Sequence, residues 1–322
     1  MLLSLAPFVC AQDYKVTNHW KVGGTGGWDY MLSDDAAHRL YIAHNARVEV
    51  LDTTSGKVVG AVTGLKSTHG VALDPDGKTG YISDGAGNAI VVFNRSDLSV
   101  ITKVTAGTNP DGITYEPTTR TVWAFNGRSN NVSVMETGGN TIKSTIALPG
   151  KPEFPQPDGQ GNVFVNIEDK NEIVKLSATD LKVLDTWSLA GCESPSGMAI
   201  DRSGHRLFSV CDGGKMAVTN YDTGKVIALA SIGQGPDAAF YDAQRKLAFS
   251  SNGGDGTLTV VDASKTSFPT VQSVQTAKRA RTMAYNVAKG EAYLCTATFE
   301  AAAGGGRPAT VPDSFEVLVV SK

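Results

Sequence analysis

Residues 74–113 read DPDGKTGYISDGAGNAIVVFNRSDLSVITKVTAGTNPDGI. Turn residues punctuate this stretch every few positions: Asp-Pro-Asp-Gly, Gly-Ala-Gly-Asn, Asn-Arg-Ser-Asp and Asn-Pro-Asp-Gly. Between them lie short runs rich in Val, Ile, Tyr and Phe, which suit a pleated, half-buried surface. None is long enough for a helix of ordinary length, and none shows a sustained helical period. Four short antiparallel strands joined by tight turns account for the whole stretch.

The same pattern recurs along the chain. ARVEVLDTTSGKVV starts at Ala46, NAIVVFNRSDLSVI at Asn88 and NNVSVMETGGNTIK at Asn130. NEIVKLSATDLKVL follows at Asn171, GKMAVTNYDTGKVI at Gly214 and GTLTVVDASKTSFP at Gly256. The intervals are 42, 42, 41, 43 and 42 residues. A constant period of this size made only of strands predicts an all-β fold, a β-propeller. Upstream of each hairpin lies a strand with an aromatic residue: Tyr41, Tyr81, Trp123, Phe164, Phe208, Phe249 and Tyr293. One large ring per repeat fills the space between neighbouring sheets. Seven repeats follow, each of four strands A to D, with strand A starting near 31, 71, 113, 155, 198, 239 and 283. The last repeat ends at SFEVLVVSK and lacks strand D; YKVTNHWKVGG, from Tyr14, supplies it and closes the ring. That closure removes an open edge strand.

The 322 residues carry a net charge of −3, which gives no electrostatic reason to bind nucleic acid or an anionic membrane. MLLSLAPFVCA at the start reads as a secretory signal covering residues 1–11, cleaved near Ala11, with the basic n-region missing. Residues 12–322 then form one propeller domain, expected to be a monomer, periplasmic or secreted and without a membrane span. Of four cysteines, Cys192, Cys211 and Cys295 remain after cleavage. Cys192 precedes strand A of blade five and Cys211 ends strand B, so a disulfide between neighbouring strands fits, with a pair of buried thiols as the other option.

The turn DPDGK leading into GYISD and then NAIVVF resembles the YVTN repeat. The resemblance covers nearly the whole mature chain and is nearest to YncE-like secreted seven-bladed propellers. It extends to lactonase-type propellers and to the N-terminal propeller of nitrous-oxide reductase, whose active residues have no one-to-one match here. The resemblance implies the fold; it does not imply an activity.

Ligands of propellers usually meet the face where the D-to-A and B-to-C loops converge. The column just before strand A reads Asp29, His69, Asp111, Glu153, Ser196, Asp237 and Arg281. A second column, ending strand B, reads His44, Asp84, Asn126, Ile167, Cys211, Asn252 and Thr296. Asp29, His44, His69, Asp84, Asp111, Asn126, Glu153, Asp237 and Arg281 form the expected ligand-binding ring. Asp29, His69, Asp111 and Glu153 are the candidate ligands for a divalent metal, calcium or zinc. Such a site would make the chain a metal-dependent, lactonase-like hydrolase. The competing reading is turn chemistry, since Asp in Pro-Asp-Gly bonds its own backbone. No Gly-x-Ser-x-Gly, His-Glu-x-x-His or Cys-x-x-Cys motif is present, so a role in binding a small ligand or a partner protein comes first. Gly23-Gly24-Thr25-Gly26-Gly27 opens no helix and reads as a loop. Between strands B and C of blade seven, TATFEAAAGGGRPATVPDS replaces a link of six residues in blade two; residues 299–314 of it are a candidate lid, with Lys278, Arg279 and Arg281 a basic cluster beside it.

Overall fold

The structure, a computed structural model, describes residues 13–300 and 309–322. The expected signal segment and the tip of the blade-seven insertion lie outside the described residues.

Seven four-stranded antiparallel sheets stand in a ring, a seven-bladed β-propeller. Blade two shows the pattern: strand A is Thr68–Leu73, B Thr79–Asp84, C Ala89–Asn94 and D Val100–Thr105. Neighbouring A strands touch one another around the central channel, and the D strands lie at the rim. The third residue of every strand B is the expected aromatic: Tyr41, Tyr81, Trp123, Phe164, Phe208, Phe249 and Tyr293, each no more than 1% exposed. These rings pack between blades. Phe93 of blade two lies against Tyr41 of blade one at 6.0 Å, and Tyr241 of blade six stacks on Phe208 of blade five at 5.2 Å.

Ring closure is as the strand count predicted. Lys15–Lys21 pairs antiparallel with Glu316–Ser321 and becomes strand D of blade seven. Trp20 of this strand packs on Tyr293 of its own blade at 5.2 Å and over Gly56 of blade one. Gly56 has φ +71°, and a Cβ there would lie 2.3 Å from the indole, so both conformation and space require glycine.

The expected start of strand A needs correction. In five blades it begins three residues earlier, at Trp28, Thr68, Pro110, Pro152 and Pro236. Each of these first segments contains a register break against strand B. Asp29, His69, Asp111 and Asp237 therefore sit inside a bulge, and Glu153 at the edge of one, rather than in a preceding loop. A bulge re-aims a side chain that regular alternation would point elsewhere. In blades five and seven strand A starts only at Met198 and Met283, so Ser196 and Arg281 do precede it.

Cys192 and Cys211 are joined, with Cα atoms 5.4 Å apart and a sequence separation of 19. The backbone bridge Glu193–Asp212 lies beside the bond. Cys295 is a buried free thiol. Replacing both bonded cysteines by Ala should lower the unfolding free energy by about 3 kcal/mol, the chain-entropy value for a loop of this size. Denaturant melts of the variant and of the oxidised parent measure it, and equal midpoints would refute a stabilising bond.

Candidate functional site

One position after the acidic column, the residues are Tyr30, Gly70, Gly112, Phe154, Gly197, Ala238 and Thr282. Crowding of the A strands explains the small ones. A Cβ on Gly197 would lie 2.6 Å from the carbonyl oxygen of Asp237, and one on Gly70 2.9 Å from Ile113. Tyr30 and Phe154 break the pattern, and their rings meet in the channel at 4.4 Å. Phe154 takes φ +46°, a left-handed conformation that costs a bulky residue strain.

This aromatic pair divides the channel. Below it lies a mainly apolar cavity of about 540 Å³, reaching Arg202 and Tyr285. Above it is a cavity of about 170 Å³ lined by Asp29, Tyr30, Asp111, Glu153, Phe154, Asp237 and Arg281. Five of the expected ring residues thus meet at one mouth, with His69 bonded behind Asp29.

Hydrogen bonds between blades hold the column in place. Ser83 of blade two donates to the carbonyl of Asp111, Asn166 of blade four to that of Ser196 at 2.8 Å, and Ser251 of blade six to that of Arg281. All three donors are the fifth residue of their strand B.

The mouth is a set of unequal ion pairs. His69 Nδ1 lies 2.6 Å from Asp29 Oδ2 and 3.6 Å from Asp111. Arg281 donates to Asp237 at 2.6 Å. Glu153 accepts from the Tyr30 hydroxyl at 3.0 Å and from Lys151 at 2.9 Å, and Lys151 also bonds Glu168. Burial opposes charge on His69, but its hydrogen bond to Asp29 and the charges of Asp111 and Asp29 outweigh it and raise the imidazole to about 9. Burial, with the charges of Glu153 and Asp29, pushes Asp111 well above the usual carboxylate range. Burial also raises Glu153 against the pull of Lys151, and lifts Asp237 to about 7 despite Arg281.

The strand-B column does not join this ring. His44, Asp84 and Asn126 do end their strands, but they are buried within the blades. Asp84 accepts the backbone N–H groups of Lys66 and Ser67, which fixes the D-to-A loop. Asn126 donates to Asn131 and Ser133 of its own blade. His44 stacks on Phe315 at 4.2 Å. Strand ends point inward to cap loops here, which the period alone does not reveal.

Glu153 also leaves the expected metal quartet. Of these four, Asp29, His69 and Asp111 bring one ligand atom each within 4.8 Å of one another; Glu153 is held by Lys151 and Tyr30. The basic cluster is dispersed: Arg281 belongs to the mouth, while Arg279 lies over the Phe299 ring at 4.2 Å. The described base of the blade-seven insertion is tied to the glycine loop, with Gly24 and Asp313 exchanging two hydrogen bonds of 2.9 and 3.0 Å. Residues 301–308, most of the candidate lid, lie outside the described residues. Sequence reading did not single out Tyr30, Phe154 or Lys151. The two aromatics were visible as large residues in a column of small ones.

No protein-family model matches the chain, and no curated protein matches it in sequence. Solved structures do resemble it. A chain of hydrazine synthase from Kuenenia stuttgartiensis aligns with TM-score 0.74 at 15% identity, over 89% of this chain and 96% of that one. U3-55K and the RRP9 WD40 repeats each align with TM-score 0.78 over 96% of this chain and 98% of theirs, at 10% and 9% identity. At such identities the likeness is one of fold. Among the described residues no helix is long and apolar enough to cross a membrane.

Two raised pKa values carry a pH dependence. His69 goes from 6.5 to about 9 on folding, so its contribution is complete below about pH 6.5 and lost as pH climbs through 9. Asp237 rises from 3.8 to about 7, so its ionisation costs stability increasingly between those values. Both terms fall with rising pH. A Cβ on Gly85 would lie 2.5 Å from His69 Nε2, so Gly85→Ala should push the imidazole off Asp29. His69 should then titrate near 6.5 by NMR, and the stability drop between pH 6 and 9.5 should shrink by about 3 kcal/mol, on a scale of about 1.4 kcal/mol per pKa unit. An unchanged His69 titration would refute the positioning role of Gly85.

Proposed function

We propose that the chain is an extracytoplasmic, YVTN-type binding propeller, monomeric, which holds a small polar ligand at the channel mouth. One observation carries this reading. The mouth is a floored cavity whose wall includes Asp111, a carboxylate only 13% exposed and, among the described residues, without a hydrogen-bond donor of its own. Buried carboxylates are ordinarily satisfied, and one left without a donor at a cavity wall is available to a guest. The seven-bladed architecture supports such a role, since convergent loops around one channel suit ligand and partner capture.

A metal-dependent hydrolase is the second reading, favoured by the approach of Asp29, His69 and Asp111. Two carboxylates and an imidazole suit zinc or another divalent ion, and such an ion would supply Lewis-acid chemistry for opening an ester or lactone. The fit is partial, because the imidazole nitrogen facing the group already bonds Asp29.

Ligand-observed NMR of a mixed library of anionic, neutral and cationic fragments separates these roles when run on the wild type and on Asp111→Asn. Fragments whose binding depends on Asp111 are expected. The absence of any mouth-dependent fragment, in any charge class, would overturn the binding role. Stoichiometric calcium or zinc in dialysed protein, lost with Asp29→Asn, would favour the hydrolase instead.

A further inference from the structure

The wall of the mouth is chemically selective. Four carboxylates, Asp29, Asp111, Glu153 and Asp237, and one guanidinium, Arg281, line the cavity. Fully ionised, the lining would carry three more negative than positive charges; burial pushes Asp111 and Asp237 toward their neutral forms. His69 and Lys151 stand behind it, and Lys151 is shared with Glu168. Asp29, Glu153 and Asp237 each have a donor within 3.0 Å; the nearest to Asp111 is His69 Nδ1 at 3.6 Å, which is already engaged with Asp29. The guest that completes this wall is a cation with N–H donors.

Size and floor narrow the class. The cavity of 170 Å³ holds about six waters at ~30 Å³ each, more than a bare ion fills and enough for a small organic molecule. Its floor is aromatic, Tyr30 and Phe154. Carboxylates above an aromatic floor suit an alkyl ammonium, whose charge meets oxygen and whose methylenes meet the rings. A divalent ion at Asp29, His69 and Asp111 would leave the floor and Asp237 unused. A quaternary ammonium would offer Asp111 no N–H.

We infer that the channel mouth binds the primary ammonium group of a small amine, donated to Asp111, with its alkyl stem over Tyr30 and Phe154. The inference rests on the binding role proposed above and specifies its ligand class. Burial is the largest cause of the upward pressure on Asp111, Glu153 and Asp237, and a bound ammonium would oppose it.

Calorimetric titration with n-butylammonium chloride, n-butanol and sodium butyrate at matched ionic strength tests it. Butylammonium should bind at least tenfold more tightly than butanol, and butyrate should not bind. Asp111→Asn should weaken butylammonium at least tenfold, and Phe154→Leu several-fold. Should Asp111→Asn fail to fold, contacts between the butyl chain and the Phe154 ring in NMR spectra of the wild type carry the same test. Preference for butanol or butyrate, or displacement of butylammonium by stoichiometric calcium or zinc, would overturn the ammonium inference and leave a ligand-binding mouth. Loss of all mouth-dependent fragment binding would remove both.

Discussion

Seven A strands converge on one axis, and the space they leave each other governs the rest of the channel. Where a glycine follows the column, the next blade's backbone or side chain takes the place of a Cβ, as Asp237 does beside Gly197. Five blades obey this limit with Gly, Ala or Thr. Blades one and four instead place Tyr30 and Phe154, which have room only toward the axis, where the two rings meet. A packing limit at the strands thus becomes a partition of the channel. The left-handed backbone of Phe154 is the local cost of putting a large ring there.

The bulges act on the same stretch. A strand alternates its side chains, so a regular strand A would send successive residues of the column to opposite sides. The break in register in blades one, two, three, four and six lets the charged residue and its neighbour both approach the mouth. Ser83, Asn166 and Ser251 then fix the backbone of the next blade. The mouth is therefore built by paired blades, and its side chains stand on anchored carbonyls.

Period and composition were enough to read the ring: seven repeats, the aromatic of strand B, and closure by the segment from Tyr14. Those features repeat, and repetition averages away local irregularity. The mouth was only partly legible. Asp29, His69, Asp111, Glu153, Asp237 and Arg281 were in the right column because a column is also a repeat. His44, Asp84 and Asn126 were in an equally regular column and turned inward, because the ends of strand B cap loops within each blade. Lys151 was missed because its partners, Glu153 and Glu168, come from two different segments of blade four. Bulge positions depend on tertiary crowding, which a period of 42 residues does not encode.

Hydrazine synthase and the WD40 structures share this architecture at 9–15% identity, so the architecture tolerates almost complete replacement of its side chains. Function must then reside in the departures from the repeat. A purely structural ring would pair its acids and bases one to one. Here three carboxylates have a donor within 3.0 Å and Asp111 does not; its nearest cation is the His69 imidazole, 3.6 Å away and already bonded to Asp29. Two acids share one cation on that side, while Arg281 serves Asp237 alone on the other. Burial makes this asymmetry costly, since an ionised carboxylate without a donor loses its hydration without compensation. Turn formation does not require such a residue, because Asp111 bonds no backbone N–H of its own Pro-Asp-Gly turn. An N–H donor entering the mouth would relieve that carboxylate, and the binding role proposed for the mouth rests on this.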